Sequence, residues 1–259
     1  MKTKVTIILV AGFVASLFYL TVLAQTEEKK PQLFAVSEDI VYPSKFMEYE
    51  AGVKKWLDFY AKYKFPHPVT VYRTDDYRYY FLIPIEKLSD IDDFEKYFDE
   101  VKKKAGKEIE ELEKLFDGTY ESTTFGVVVL RTDLSYSPEK PRVKAEDINF
   151  IWWNYYYIKV GEEKEAEEIA KEWQALWKSK KIADYFNVYQ PILWSDLPAM
   201  VAAGGAKSEA DYYSHMEKNI EKMGAEFVAL SKKTMDGCRK YEQRTGTILR
   251  ELSYVPPKK

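Results

Sequence analysis

Acid–base and metal chemistry most often recruit histidine, and this chain has two, His67 and His215. His67 stands in Pro66-His67-Pro68 and reads as part of a rigid loop. His215 adjoins Tyr212 and Met216 on a predicted helix, where it reads as a packed or surface residue, with a haem ligand reaching a cavity as the alternative. Cys238 is the sole cysteine, so no intrachain disulfide forms; between Gly237 and Arg239 it reads as a small, partly buried helical residue. The carboxylates of 108–113 and 162–168 interleave with lysines, the pattern of a solvated helix face. No nucleophile elbow, zinc-protease helix or phosphate loop occurs, so no catalytic residue and no metal ligand is assigned.

Aromatic residues are the more promising chemistry. Trp152, Trp153, Tyr155, Tyr156 and Tyr157 crowd one short run, and Tyr79 and Tyr80 another. Large rings with polar tips either fill a core or line a small-molecule site. The candidate ligand-binding set is Trp153, Tyr155, Tyr157, Tyr79 and His215.

The elements that must position these residues come in two copies. Asp133-Leu134-Ser135-Tyr136-Ser137-Pro138 returns as Glu251-Leu252-Ser253-Tyr254-Val255-Pro256, an offset of 118. Val53-Lys54-Lys55-Trp56 matches Ala170-Lys171-Glu172-Trp173, and Ala105-Gly106 matches Met223-Gly224, in the same order and at nearly the same offset. The copies span 33–138 and 148–256, joined by a polar, proline-bearing linker at 139–147. Each reads as strand, helix, strand, strand, helical region, strand: in the first, strands at 34–42, 69–73, 77–83 and 125–136; in the second, at 151–160, 185–190, 198–203 and 248–254. That order predicts an α+β fold of two ferredoxin-like sheets, each with helices on one face. The runs Tyr79 to Ile83 and Trp152 to Tyr157 do not alternate with polar residues, so both faces are buried. Packing the two sheets against each other satisfies this and leaves room for a cavity between them.

With these features the chain resembles the dimeric α+β barrel superfamily, and most of all the proteins named for the NIPSNAP domain and their monooxygenase-like relatives. The residues that carry the likeness are Tyr157 to Glu165, their counterparts Asp39 to Lys45, and the terminal Leu-Ser-Tyr segments. The resemblance implies a fused pseudo-dimer. Relatives of this type include quinone-forming monooxygenases, haem-binding enzymes, dehydratases and many proteins of unknown activity, so fold alone does not choose a function.

The first residues read as an export signal: Lys2 and Lys4, then an apolar run from Val5 to Leu23, with cleavage expected after Ala24. An uncleaved membrane anchor is the alternative, because the run approaches the roughly 20 residues that cross a bilayer. Residues 25–32 form a polar segment before the first copy, and the mature protein is expected to be secreted or periplasmic. Lysine plus arginine (39) nearly balance aspartate plus glutamate (42), which provides no basic field to collect nucleic acid. The leading expectation is a small apolar or aromatic ligand bound between the sheets without dedicated cofactor chemistry. The alternatives are a monooxygenase-like or haem-using enzyme, with Asp39, Arg131, His215 or a tyrosine assisting, and an interaction module that self-associates.

Overall fold

The computed structural model describes residues 32–257. The expected export signal lies outside them. Among the described residues the first half runs β1 (Gln32–Val41), α1 (Phe46–Tyr63), β2 (Thr70–Thr74), β3 (Arg78–Ile85), α2 (Asp90–Ala105), α3 (Lys107–Glu113), β4 (Tyr120–Leu130). The second runs β5 (Phe150–Ile158), α4 (Glu163–Ser179), β6 (Asn187–Leu193), β7 (Ala199–Ala206), α5 (Glu209–Met223), α6 (Ala225–Asp236), β8 (Cys238–Ile248).

Local chemistry sets the helix limits. α4 opens on Glu163 and Glu165 and closes on Lys178, each charge matched to its end of the helix dipole. Ser208 caps α5 by accepting the Asp211 amide at 3.2 Å. Gly106 and Gly224 interrupt the helical regions with nearly the same backbone (φ 58°, ψ −122° and φ 56°, ψ −134°), a conformation open chiefly to glycine.

Strand order is β2-β3-β1-β4 in one half and β6-β7-β5-β8 in the other, and the halves join edge to edge through β2 with β8 and β4 with β6. All eight pairings are antiparallel, giving a closed barrel. Closure pairs the outer strand of each half with the other half, removing the open edges that a lone four-stranded sheet would present. The helices cover the outside and each strand alternates between the barrel interior and the helical layer.

Two expectations need correction. The last strand is not 248–254 but β8, 238–248, and Arg250–Leu252 is a 3-10 turn. Cys238 is therefore the first residue of a strand, not a helical one. β8 escaped the apolar pattern because Lys240, Glu242 and Arg244 occupy alternate positions on it. Likewise β4 ends at Leu130, before the first Leu-Ser-Tyr.

Both Leu-Ser-Tyr segments are reciprocal clasps. Tyr136 bridges Phe186 ahead of β6, and Tyr254 bridges Val69 ahead of β2, so each half's tail docks on the other half. Ser135 Oγ accepts the Val188 amide at 2.8 Å and donates to the Arg131 carbonyl. Ser253 Oγ accepts the Val71 amide at 3.0 Å and donates to the Leu249 carbonyl. Leu134 and Leu252 are fully buried beneath them. The repeat persists in the sequence because both copies need the same clasp.

Candidate functional site

Alternation along β5 divides its aromatic run between two compartments. Trp152, Asn154 and Tyr156 face the helices; Trp153, Tyr155 and Tyr157 face the barrel interior.

On the helical side lies a cavity of about 330 Å³, bounded by the sheet of the second half and α4, α5 and α6. That volume reaches the range of about 300–1,000 Å³ typical of small-molecule pockets. The sequence explains why space exists at this position. In the first half Tyr49 packs on Tyr79 at 4.8 Å between ring centroids and on Phe116 at 5.4 Å, and Phe116 also presses on Gly52. At the repeat offsets of 117 and 118, Tyr49 becomes Ala166 and Phe116 becomes Thr234, and both line the cavity. Two rings that plug the first half are absent from the second. The remaining walls are apolar, with Trp173, Met216 and Phe227 from the three helices. Near the start of β8, Met235 and Tyr241 line the cavity while being well exposed, which marks its mouth, and the Tyr241 hydroxyl donates to Asn154 Oδ1 at 2.9 Å.

The polar groups of this cavity are neutral. Burial pushes the Cys238 thiol and the Tyr156 and Tyr241 phenols above their ordinary values, and the thiol donates to the Thr234 carbonyl at 3.2 Å. Neither histidine of the chain lines it. The donor set does not fit a histidine-ligated haem, and no group on its wall is poised as a general base near pH 7.

The barrel interior holds a second chamber of about 150 Å³. Trp153, Tyr155 and Tyr157 line it, together with Tyr72, Tyr189 and Trp194. Tyr79 does not: it points to the helical side, packs on Tyr49 and donates to Glu50 Oε1 at 2.8 Å, and Tyr80 takes the interior position. His215 is also elsewhere, on α5, with Nδ1 2.8 Å from the Asp211 carbonyl oxygen and 3.3 Å from Asp211 Oδ1. Asp39 receives the Tyr49 hydroxyl under α1, and Arg131 pairs with Asp133 and Glu167, so neither reaches a cavity.

A charged cluster adjoins the chamber that no motif announced. Glu38, buried in β1, accepts on Oε1 from Arg78 (2.9 Å), the Tyr80 hydroxyl (2.8 Å) and Arg244 (3.3 Å). Arg244 also pairs with Glu242 at 2.7 Å and lies over the Tyr155 ring, 4.7 Å from its centroid. Burial drives the Tyr80 phenol well above its ordinary value and Tyr155 to about 12, while the flanking Lys240 and Arg244 hold Glu242 below the usual carboxylate value despite its burial.

No family model matches the chain, and no curated protein resembles it in sequence. Solved structures share its architecture. An anthrone oxidase-like protein aligns with a TM-score of 0.57 at 10% identity, covering 86% of this chain and 93% of its own. A candidate monooxygenase from Fusobacterium nucleatum gives 0.51 at 11% identity over 89% and 99%, and one from Lactobacillus acidophilus gives 0.50 at 9% over 87% and 96%. At such identities the likeness is one of fold. By fold the chain is a closed α+β barrel of the kind these structures share, with both sheets carried on one polypeptide.

Proposed function

We propose that the protein binds small, largely apolar or aromatic molecules inside its fold, without dedicated cofactor chemistry. The barrel chamber between the sheets supports this reading, and the larger cavity under α4, α5 and α6 is the principal site we assign. The observation that carries this reading is the internal comparison. One fold is built twice on one chain, and the copy with Ala166 and Thr234 in place of Tyr49 and Phe116 contains space for a ligand of two or three rings.

Refilling that space is the test. In the double variant Ala166→Tyr, Thr234→Phe, anthrone binding followed by quenching of Trp152, Trp173 and Trp177 should fall at least about tenfold, while thermal stability holds or rises. Unchanged anthrone binding by the refilled protein would remove the assignment.

An enzymatic reading draws on the fold shared with the anthrone oxidase-like protein. It predicts that aerobic incubation with anthrone yields anthraquinone and water with consumption of one O₂. The absence of a general base from the cavity wall favours binding over turnover, and a product yield no greater than that of the refilled variant would dispose of the enzymatic reading.

A further inference from the structure

We propose that the barrel chamber is a second binding site, separate from the helix–sheet cavity, and selective for a single aromatic ring that carries a hydrogen-bond donor, a phenol being the simplest such molecule. Size sets the first half of this statement. An apolar protein cavity of about 150 Å³ takes up benzene, and the chamber has about that volume. Its walls suit a flat ring: Trp153 lies with its centroid 5.9 Å from Tyr72 and 6.1 Å from Tyr80, and Ala199 and Ala203 leave the neighbouring strand β7 low.

The direction of the hydrogen bonds sets the second half. A phenolic hydroxyl has one proton to give. Tyr80 gives its proton to the Glu38 carboxylate, and its oxygen accepts from Arg244. Tyr155 must then act as donor to Tyr80, at 3.2 Å. Its own oxygen accepts no hydrogen bond from the described residues. The chain Tyr155 to Tyr80 to Glu38 thus runs one way, and its free end is an acceptor. A guest that supplies an O–H or N–H extends the chain; a guest that offers only a carbonyl or carboxylate meets lone pairs. The high pKa values of Tyr155 and Tyr80 keep both hydroxyls protonated, so this polarity holds across the physiological range.

Arg244 joins the chamber wall to the surface. The ladder between β2 and β8 covers three residue pairs, from Tyr72 with Ile248 to Thr74 with Gly246, and the Asp75 amide extends it by donating to the Thr245 carbonyl at 2.9 Å. An open groove lined by Asp75, Asp76, Arg78, Glu242 and Arg244 borders the cluster. Arg244 belongs to this groove and also bonds Tyr80 of the chamber wall.

The test uses the full chain and two fluorinated probes of like size, 4-fluorophenol and 4-fluorotoluene, followed by ¹⁹F NMR. The methyl compound is the more hydrophobic, so a plain apolar pocket would prefer it. The proposal expects the phenol to bind about tenfold tighter, a Tyr155→Phe variant to lose that preference, and the refilled Ala166→Tyr, Thr234→Phe protein to keep it. Equal or reversed affinities in the unmodified chain would overturn it, as would failure of the phenol to bind at millimolar concentration. Loss of phenol binding in the refilled variant alone would place the phenol under the helices and overturn it too, while leaving the principal site intact. The comparison of the two probes on the unmodified chain decides the matter even if Tyr155→Phe does not fold.

Discussion

Arg244 shows how much one side chain can organise when it is withdrawn from water. Its side chain is 15% exposed and that of Glu38 10%, and between them they orient Tyr80 and Tyr155. Removing one member of a buried, hydrogen-bonded pair leaves the other charged and undersolvated, at a cost of about 3–5 kcal/mol. Glu38 keeps Arg78 as a partner, so Arg244→Leu should cost about 2–3 kcal/mol. Urea denaturation measures this, and a loss below about 0.5 kcal/mol would mean that water replaces the guanidinium at no cost. Little of this cluster was legible beforehand. Trp153, Tyr155 and Tyr157 recur at period two on one strand and so share a face, but where both faces are apolar the pattern does not say which of them meets a cavity. Glu38, Tyr80 and Arg244 lie on three strands brought together only by barrel closure, and no local pattern links positions about 200 residues apart. Tyr79 and Tyr80 show the same limit from another side. In a run buried on both faces, neighbouring tyrosines look alike until the register is known.

At the scale of the element, β8 is the informative case. A strand bearing Arg239, Lys240, Glu242 and Arg244 has no apolar face to betray it, and the Leu-Ser-Tyr that follows drew the predicted strand ten residues too late at its start. What makes 238–248 a strand is pairing with β5 from Phe150 to Ile158 on one side and with β2 on the other. That second seam depends on Gly246. A Cβ at this position would sit 2.1 Å from the Arg73 carbonyl oxygen and 2.7 Å from the Thr74 Cα, both backbone atoms that cannot swing aside. Gly246→Ala should therefore destabilise the fold by about 3 kcal/mol or more and lower its melting temperature by several degrees. A melting temperature unchanged within two degrees, about the effect of well under 1 kcal/mol, would show that the seam yields. The clasps are gentler. Ser253→Ala leaves the Val71 amide without its acceptor and should cost about 1–2 kcal/mol in the same denaturation experiment.

The described residues form a tyrosine-rich barrel closed on itself, and this dictates how it fails at high pH. Burial raises Tyr60 and Tyr155 from the ordinary value of 10 to about 12 in the folded chain. The folded state therefore holds these protons more tightly than the unfolded state does. Their contribution is fully present below pH 10, declines once the unfolded tyrosines begin to ionise, and is gone above pH 12. A shift of that size is worth on the order of 2 kcal/mol for each of the two, against a total stability of about 5–15 kcal/mol for a typical domain. Tyr185 and Tyr212 are also pushed up to about 12, and Tyr185 lines the same chamber as Tyr155. Because the two halves share one hydrogen-bonded barrel and clasp each other through Tyr136 and Tyr254, neither has a way to open alone. Ionisation at one position should then expose the others. In an alkaline titration, phenolate absorbance at 295 nm and the loss of the far-ultraviolet dichroism should rise together as one steep step between pH 10 and 12. A broad absorbance curve centred near pH 10 with the dichroism intact would show that the buried tyrosines ionise in place, and that the barrel is more open to water than its packing implies.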